Sequence, residues 1–243
     1  MKNYAILVSS LVLFYSCSES KETDSQQVIP TVTDEQKVSI EFPQMSEIDS
    51  SGVIMMPLRI GNTINNSKIS GSFDSKKEDY FWNIVFVDTN TNDKYPLSTD
   101  KLLISNYDSD YGSSYSASNE SSVKVDTSTK KYLFYRIRSF DANKNGNLDL
   151  SDPEYLFISD RNGKNLKQIS VPNTHLSDWI YVGKTNKVYF TALADTNNDK
   201  AFDENDELVN YEYDLQTHQK SEPFFNSNFK NSLKENFKKH WLK

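Results

Sequence analysis

With 243 residues, the chain is long enough for one large β domain or two small ones with a real core. Apolar residues make up only 36%, yet aromatics reach 13%, with 14 Tyr and 14 Phe, a profile of strands wetted on one face rather than of a tightly helical protein. A net charge of −7 argues against nucleic acid and anionic membrane surfaces as partners, and a single cysteine excludes an intrachain disulfide.

Residues 1–16 read as a processing segment. Lys2 supplies a positive start, and Ala5 to Tyr15 form an apolar stretch of 11 residues, too short for a membrane-spanning helix of about 20. The stretch ends in Leu13-Phe14-Tyr15-Ser16-Cys17, which resembles the lipobox of bacterial lipoproteins in a relaxed form, with Tyr15 bulkier than the usual pattern. The resemblance implies cleavage before Cys17, acylation of Cys17 (with palmitate or similar chains) and anchoring in the bacterial envelope, as an outer-membrane lipoprotein facing either the periplasm or the cell surface. Several acyl chains tether stably where one does not. Residues 17–36 are polar and should form a flexible tether. The acidic residues just after Cys17 resemble the surface-export signal of Bacteroidetes lipoproteins.

From 37 to 225 the expected fold is all-β. Apolar-aromatic runs of strand length occur at Val53–Ile60, Tyr80–Val87, Tyr132–Ile137, Tyr155–Ile158, Trp179–Val182, Val188–Leu193 and Leu208–Tyr213. Asp-rich turn chemistry separates them at 88–93 and 160–163, and Tyr107 to Ser122 reads as a long polar loop. Residues 226–243 carry the one helical pattern. Phe229, Leu233, Phe237 and Trp241 recur at steps of four, with the five lysines mostly off that stripe. The expectation is a short C-terminal helix packed on the β domain, rather than a membrane or partner helix.

An internal repeat organises the β region. Phe140 through Asp152 aligns without gaps with Ala194 through Asp206, 54 residues later. Each copy is preceded and followed by a strand, and an Asp opens a turn eight residues beyond each (Asp160 and Asp214). A weaker third copy of the later hairpin runs from Ile84 to Asp88 and turns toward Leu97. The hairpin from Tyr155 to Ile169 resembles the blade hairpins of TolB-like β-propellers. That resemblance implies antiparallel repeats in a partial or small propeller; a β-sandwich is the alternative, since propellers usually need at least four blades.

The repeated loops carry the chemistry. Asp141, Asn143, Asn145, Asn147, Asp149 and Asp152 fall at positions 1, 3, 5, 7, 9 and 12 of a loop that resembles the calcium loop of EF-hands, ending in Asp as dockerin loops do. Asp195, Asn197, Asp199, Ala201, Asp203 and Asp206 fall at the same positions in the second copy. A hard cation wants six to eight oxygens, and a chain coiling around it offers one at alternate positions; Asn147 and Ala201 would supply main-chain carbonyls. Gly146 suits the sharp turn, and Leu148 should plug the first loop onto apolar surface. Lys200 replaces that glycine in the second loop, at a cost on the order of 1 kcal/mol if the backbone is the same. Strands rather than helices flank both loops, so two structural calcium ions are expected rather than a calcium sensor. Neither loop contains His or Cys, which disfavours zinc.

No catalytic residue stands out. His175, near Asp178 and Trp179, reads as a hydrogen-bonded loop histidine rather than as part of a site, and phosphate-cradling glycine motifs are absent. The functional expectation is a calcium-stabilised binding or interaction module at the envelope, with a protein or glycan partner that the sequence does not name. The alternatives are a glycan hydrolase on a propeller scaffold, betrayed by a deep pocket with two carboxyls about 5–10 Å apart, and a purely structural envelope protein.

Overall fold

The computed structural model describes residues 40–42, 44–60, 80–108 and 131–242. Cys17, the segments expected to be signal and tether and most of the polar stretch after Tyr107 lie outside the described residues. The chain is all-β with one C-terminal helix, as expected.

Among the described residues, thirteen strands form three antiparallel sheets. Sheet 1 holds β1 (Ile40–Glu41), β2 (Ser46–Glu47), β3 (Val53–Ile60), β4 (Asn83–Asp88) and β5 (Asp93–Pro96). Sheet 2 is the meander β6 (Leu103–Asp108), β7 (Tyr132–Arg138), β8 (Tyr155–Asp160) and β9 (Lys167–Gln168). Sheet 3 repeats it with β10 (Thr174–Val182), β11 (Lys187–Ala194), β12 (Glu207–Asp214) and β13 (Glu222–Pro223). Tyr107 and Asp108, expected to open a polar loop, belong to β6, where Tyr107 pairs with Tyr135.

The two inner strands of sheet 2 are apolar on both faces, and the period of two sends alternate residues to different cores. Leu133, Tyr135, Ile137, Tyr155 and Phe157 join Val53, Met55, Ile84 and Phe86 of sheet 1. Phe134, Leu156 and Ile158 join Val188, Phe190, Tyr211 and Tyr213 of sheet 3. Sheet 2 is thus a middle layer, where a β-sandwich has only two layers. Each large apolar side chain so enclosed contributes about 1.5–3 kcal/mol. The described strands make an open stack and no closed barrel.

The strand before the last in each sheet ends in an aspartate that organises the following turn. Asp88 accepts from the Asn90 and Thr91 N–H groups at 2.9 and 3.4 Å. Asp160 accepts from Asn162 and Lys164 at 3.0 and 2.9 Å, and Asp214 from Gln216 and Thr217 at 2.7 and 3.2 Å. The weak third copy of the hairpin is therefore structurally equivalent to the other two at this point. Gly163, at φ +73°, sits in the second of these turns, where an added Cβ would lie 2.2 Å from the Phe86 ring of sheet 1.

The helix α1 (Ser227–Trp241) starts where expected, capped by Asn226, whose side chain accepts from the Phe229 N–H. It does not pack on the β domain. None of its residues is buried, and among the described residues its first turns touch the body through the Phe225–Phe229 ring stack and a Lys230–Glu207 ion pair. Helical spacing shows that one face needs cover; it does not show what covers it.

Candidate metal centres

The two repeated loops occupy equivalent places, joining β7 to β8 and β11 to β12, between strands as the sequence implied. The matching connection of sheet 1, between β3 and β4, lies mostly outside the described residues. Both loops coil identically. Lys144 and Asn198 have φ 61° and 62°, and Gly146 and Lys200 have φ 89° and 67°. Lys200 thus holds the left-handed conformation that its glycine counterpart accepts more cheaply.

Side chains lock this coil in the same way in both copies. In the first loop, Asp152 accepts from the N–H groups of Ala142 and Asp149, Asp141 from Gly146, Asn143 from Asn145, Asn145 from Asn147, and Asp149 from Ser151. In the second, 54 residues on, Asp206 accepts from Thr196 and Asp203, Asp195 from Lys200, Asn197 from Asp199, Asp199 from Ala201, and Asp203 from Asn205. Leu148 is buried, as expected of a plug, and its counterpart Phe202 packs against His175 at 5.8 Å. The side-chain hydroxyl and main-chain N–H of Ser151 hold the Asp149 carboxyl below the usual carboxylate range.

Whether the loops fit a cation turns on what the carboxylate oxygens lack. Among the described residues, no three His, Cys, Asp or Glu side chains converge on one point; most loop carboxylates are turned onto backbone N–H groups. One oxygen stands apart. Asp195 Oδ1 is buried and has no hydrogen-bond donor, while Asp195 Oδ2 accepts from Lys200 at 3.3 Å. A buried carboxylate oxygen without a donor is costly, and a bound cation would satisfy it. Position 1 of the loop is where the sequence placed a ligand. With Asn amides and the Asn147 and Ala201 carbonyls, each loop offers the all-oxygen set of a hard cation.

An ion cluster missed by the sequence reading adjoins the first loop. Glu154, two residues beyond Asp152, is 4% exposed and lies between two guanidinium groups, with Arg136 Nε at 2.6 Å and Arg138 Nη1 at 2.8 Å, and it also accepts from the Ser105 hydroxyl. Burial pushes the Glu154 carboxyl up, but Arg136, Ser105 and Arg138 together outweigh it and leave it below its ordinary value. Arg138 also donates to the Asp152 carbonyl, and Arg136 donates to the Leu176 and Ser177 carbonyls of sheet 3. The cluster therefore fastens the end of the first loop, sheet 2 and sheet 3 together. The available signal was the pair of arginines at alternate positions within the apolar run of β7.

His175 takes the structural role expected of it, although it lies in β10 rather than in a loop. Its Nδ1 accepts from the Glu154 N–H at 3.3 Å, and burial lowers its pKa so that the neutral ring is favoured. Between Glu154 and Phe202, it links the neighbourhoods of the two loops.

A separate cavity of about 360 Å³ opens on sheet 3, lined by Trp179, Tyr189, Tyr211, Phe224 and Phe225 among others, with Asp178 as its one carboxylate. No protein-family model matches the chain, and no curated protein matches it.

Proposed function

We propose that this chain is a calcium-stabilised β-repeat module of the bacterial envelope, held to the membrane through an acylated Cys17, and that its two calcium ions are structural. The observation that carries the calcium reading is the buried, donor-less Asp195 Oδ1 at the first ligand position of a loop whose backbone and capping bonds duplicate those of its repeat. Asp141, Asn143, Asn145, Asn147, Asp149 and Asp152 would hold one ion; Asp195, Asn197, Asp199, Ala201, Asp203 and Asp206 would hold the other. The ions would neutralise clustered carboxylates and make the loops rigid, so that binding energy becomes folding energy. The face-to-face stacking of successive meanders supports a small or partial propeller.

A binding role fits the cavity on sheet 3. Its aromatic walls suit stacking on a glycan ring or a peptide side chain, and its single carboxylate does not supply the acid pair of a glycoside hydrolase.

Calorimetric titration with calcium, beside thermal melts in calcium, magnesium or chelator, tests the metal reading. About two ions should bind, and calcium at 100 times its dissociation constant should stabilise the fold by about 2.7 kcal/mol per site. Asp195→Ala should remove one of the two. Neither binding heat nor a calcium-dependent shift would leave both loops as plain turns. Incorporation of labelled palmitate, and its loss in Cys17→Ser, tests the anchor.

A further inference from the structure

The C-terminal helix is the most conspicuous unpartnered element. Phe229, Leu233, Phe237 and Trp241 lie on one face and are 46%, 50%, 56% and 76% exposed, increasing away from the body. A solitary helix of this length is marginal in water unless something covers its apolar face. The charge of this segment is opposite to that of the rest of the chain. Five lysines against one glutamate give residues 226–243 a charge of +4, leaving −11 on residues 1–225. The overall −7 that speaks against anionic surfaces thus hides a basic, amphipathic end.

The lysine positions choose between possible covers. Lys230, Lys234 and Lys238 each follow a stripe residue by one position and so run alongside it. A protein groove closing over the stripe would cover these cations as well. At a bilayer their alkyl stems lie along the apolar boundary while the ammonium groups reach the headgroups, Lys230 and Lys238 giving up their exposed ion pairs with Glu207 and Glu235 for them. Trp241 at the outer end is the residue type that favours that boundary.

We propose that α1 is an interfacial helix that lies on an anionic lipid surface, with its aromatic stripe at the acyl boundary and its lysines among the headgroups. The proposal is independent of the calcium loops and of Cys17; with Cys17 also acylated, the helix would be a second attachment point that sets the orientation of the β module.

Hydrogen exchange of the full chain, read peptide by peptide, tests it locally, so that any attachment through the N-terminal segment does not mask the result. Vesicles of equal parts phosphatidylcholine and phosphatidylglycerol should slow exchange across residues 227–241 about ten-fold or more, and phosphatidylcholine alone should not. Each lysine near an anionic surface multiplies partitioning about five-fold, so replacing Lys230, Lys234 and Lys238 by glutamine should weaken partitioning on the order of 100-fold and remove the protection at the same lipid concentration. Phe237→Glu should abolish it while leaving exchange in the β strands unchanged, which shows that the body is intact. Equal protection by both vesicle types, no protection by either, or lipid-independent protection that rises with protein concentration would each overturn the proposal, the last in favour of a second copy.

Discussion

Replacing Glu154 by glutamine tests whether the ion cluster holds the stack together. The change keeps the side chain's shape but leaves Arg136 and Arg138 without their shared anion. Arg138 is only 10% exposed at its side chain, so water cannot take over, whereas Arg136 at 27% is partly hydrated. Breaking a buried pair by removing one partner costs about 3–5 kcal/mol, and the hydration of Arg136 places this case near the lower end. For a domain of this size each kcal/mol moves the melting temperature by about 2–4 °C, so Glu154→Gln should melt about 6–12 °C lower. Melts should be run with chelator present, which separates the effect from the metal. The pH dependence gives a second reading. Because the folded pKa of Glu154 lies below its ordinary value, its stabilisation is present above about pH 4.5 and is lost as pH falls through the folded value. The variant should therefore lose less stability than the wild type over that acid range. A cost under about 1 kcal/mol with an unchanged acid profile would refute the reasoning, since the cluster would then behave as a surface salt bridge.

Two glycines should respond differently to alanine. Gly163→Ala combines a left-handed backbone with a Cβ 2.2 Å from Phe86 and should cost about 2–4 kcal/mol in urea unfolding, whereas Gly146→Ala, with nothing within 4 Å of the added Cβ, should cost only about 1 kcal/mol; equal costs would refute the steric account. Phe134→Ala removes a fully buried ring stacked on Trp179 at 4.6 Å and should cost about 3–5 kcal/mol, with a red shift in tryptophan emission; an unshifted spectrum would count against that stacking. Lys200→Gly relieves a side chain held at φ 67° and should raise stability by about 1 kcal/mol in urea unfolding with chelator present, while a loss of stability would show that the lysine itself assists the turn.

Much of the β framework is legible in the residues, because buried strands leave a mark. The apolar run Val53–Ile60 coincides with β3, and the repeat at a spacing of 54 correctly places the two loops in equivalent connections. What escapes the reading is polar. Residues 174–178 of β10 are Thr-His-Leu-Ser-Asp, and a bulge between Leu176 and Asp178 breaks their alternation, so the apolar pattern of that strand begins only at Trp179. The two-residue strands β1, β2, β9 and β13 are too short for any periodicity. In the candidate site, loop spacing marks every candidate ligand position, but the Arg136–Glu154–Arg138 cluster depends on partners 16 to 18 residues apart, which pattern alone does not pair. The helix shows the opposite limit: its stripe is plain in the sequence, and its exposure is not.

The two-sided burial of sheet 2 has a consequence for how the gene can vary. A slip of one residue in β7 would turn Phe134 toward sheet 1 and Tyr135 toward sheet 3, spoiling both cores in a single step. Insertions and deletions in β7 and β8 should therefore be purged most strictly, while substitutions on the outward faces of sheets 1 and 3 are tolerated. Relatives that differ in length should have gained or lost whole meanders at the ends of the stack, leaving the middle one as the segment by which distant descendants are still aligned.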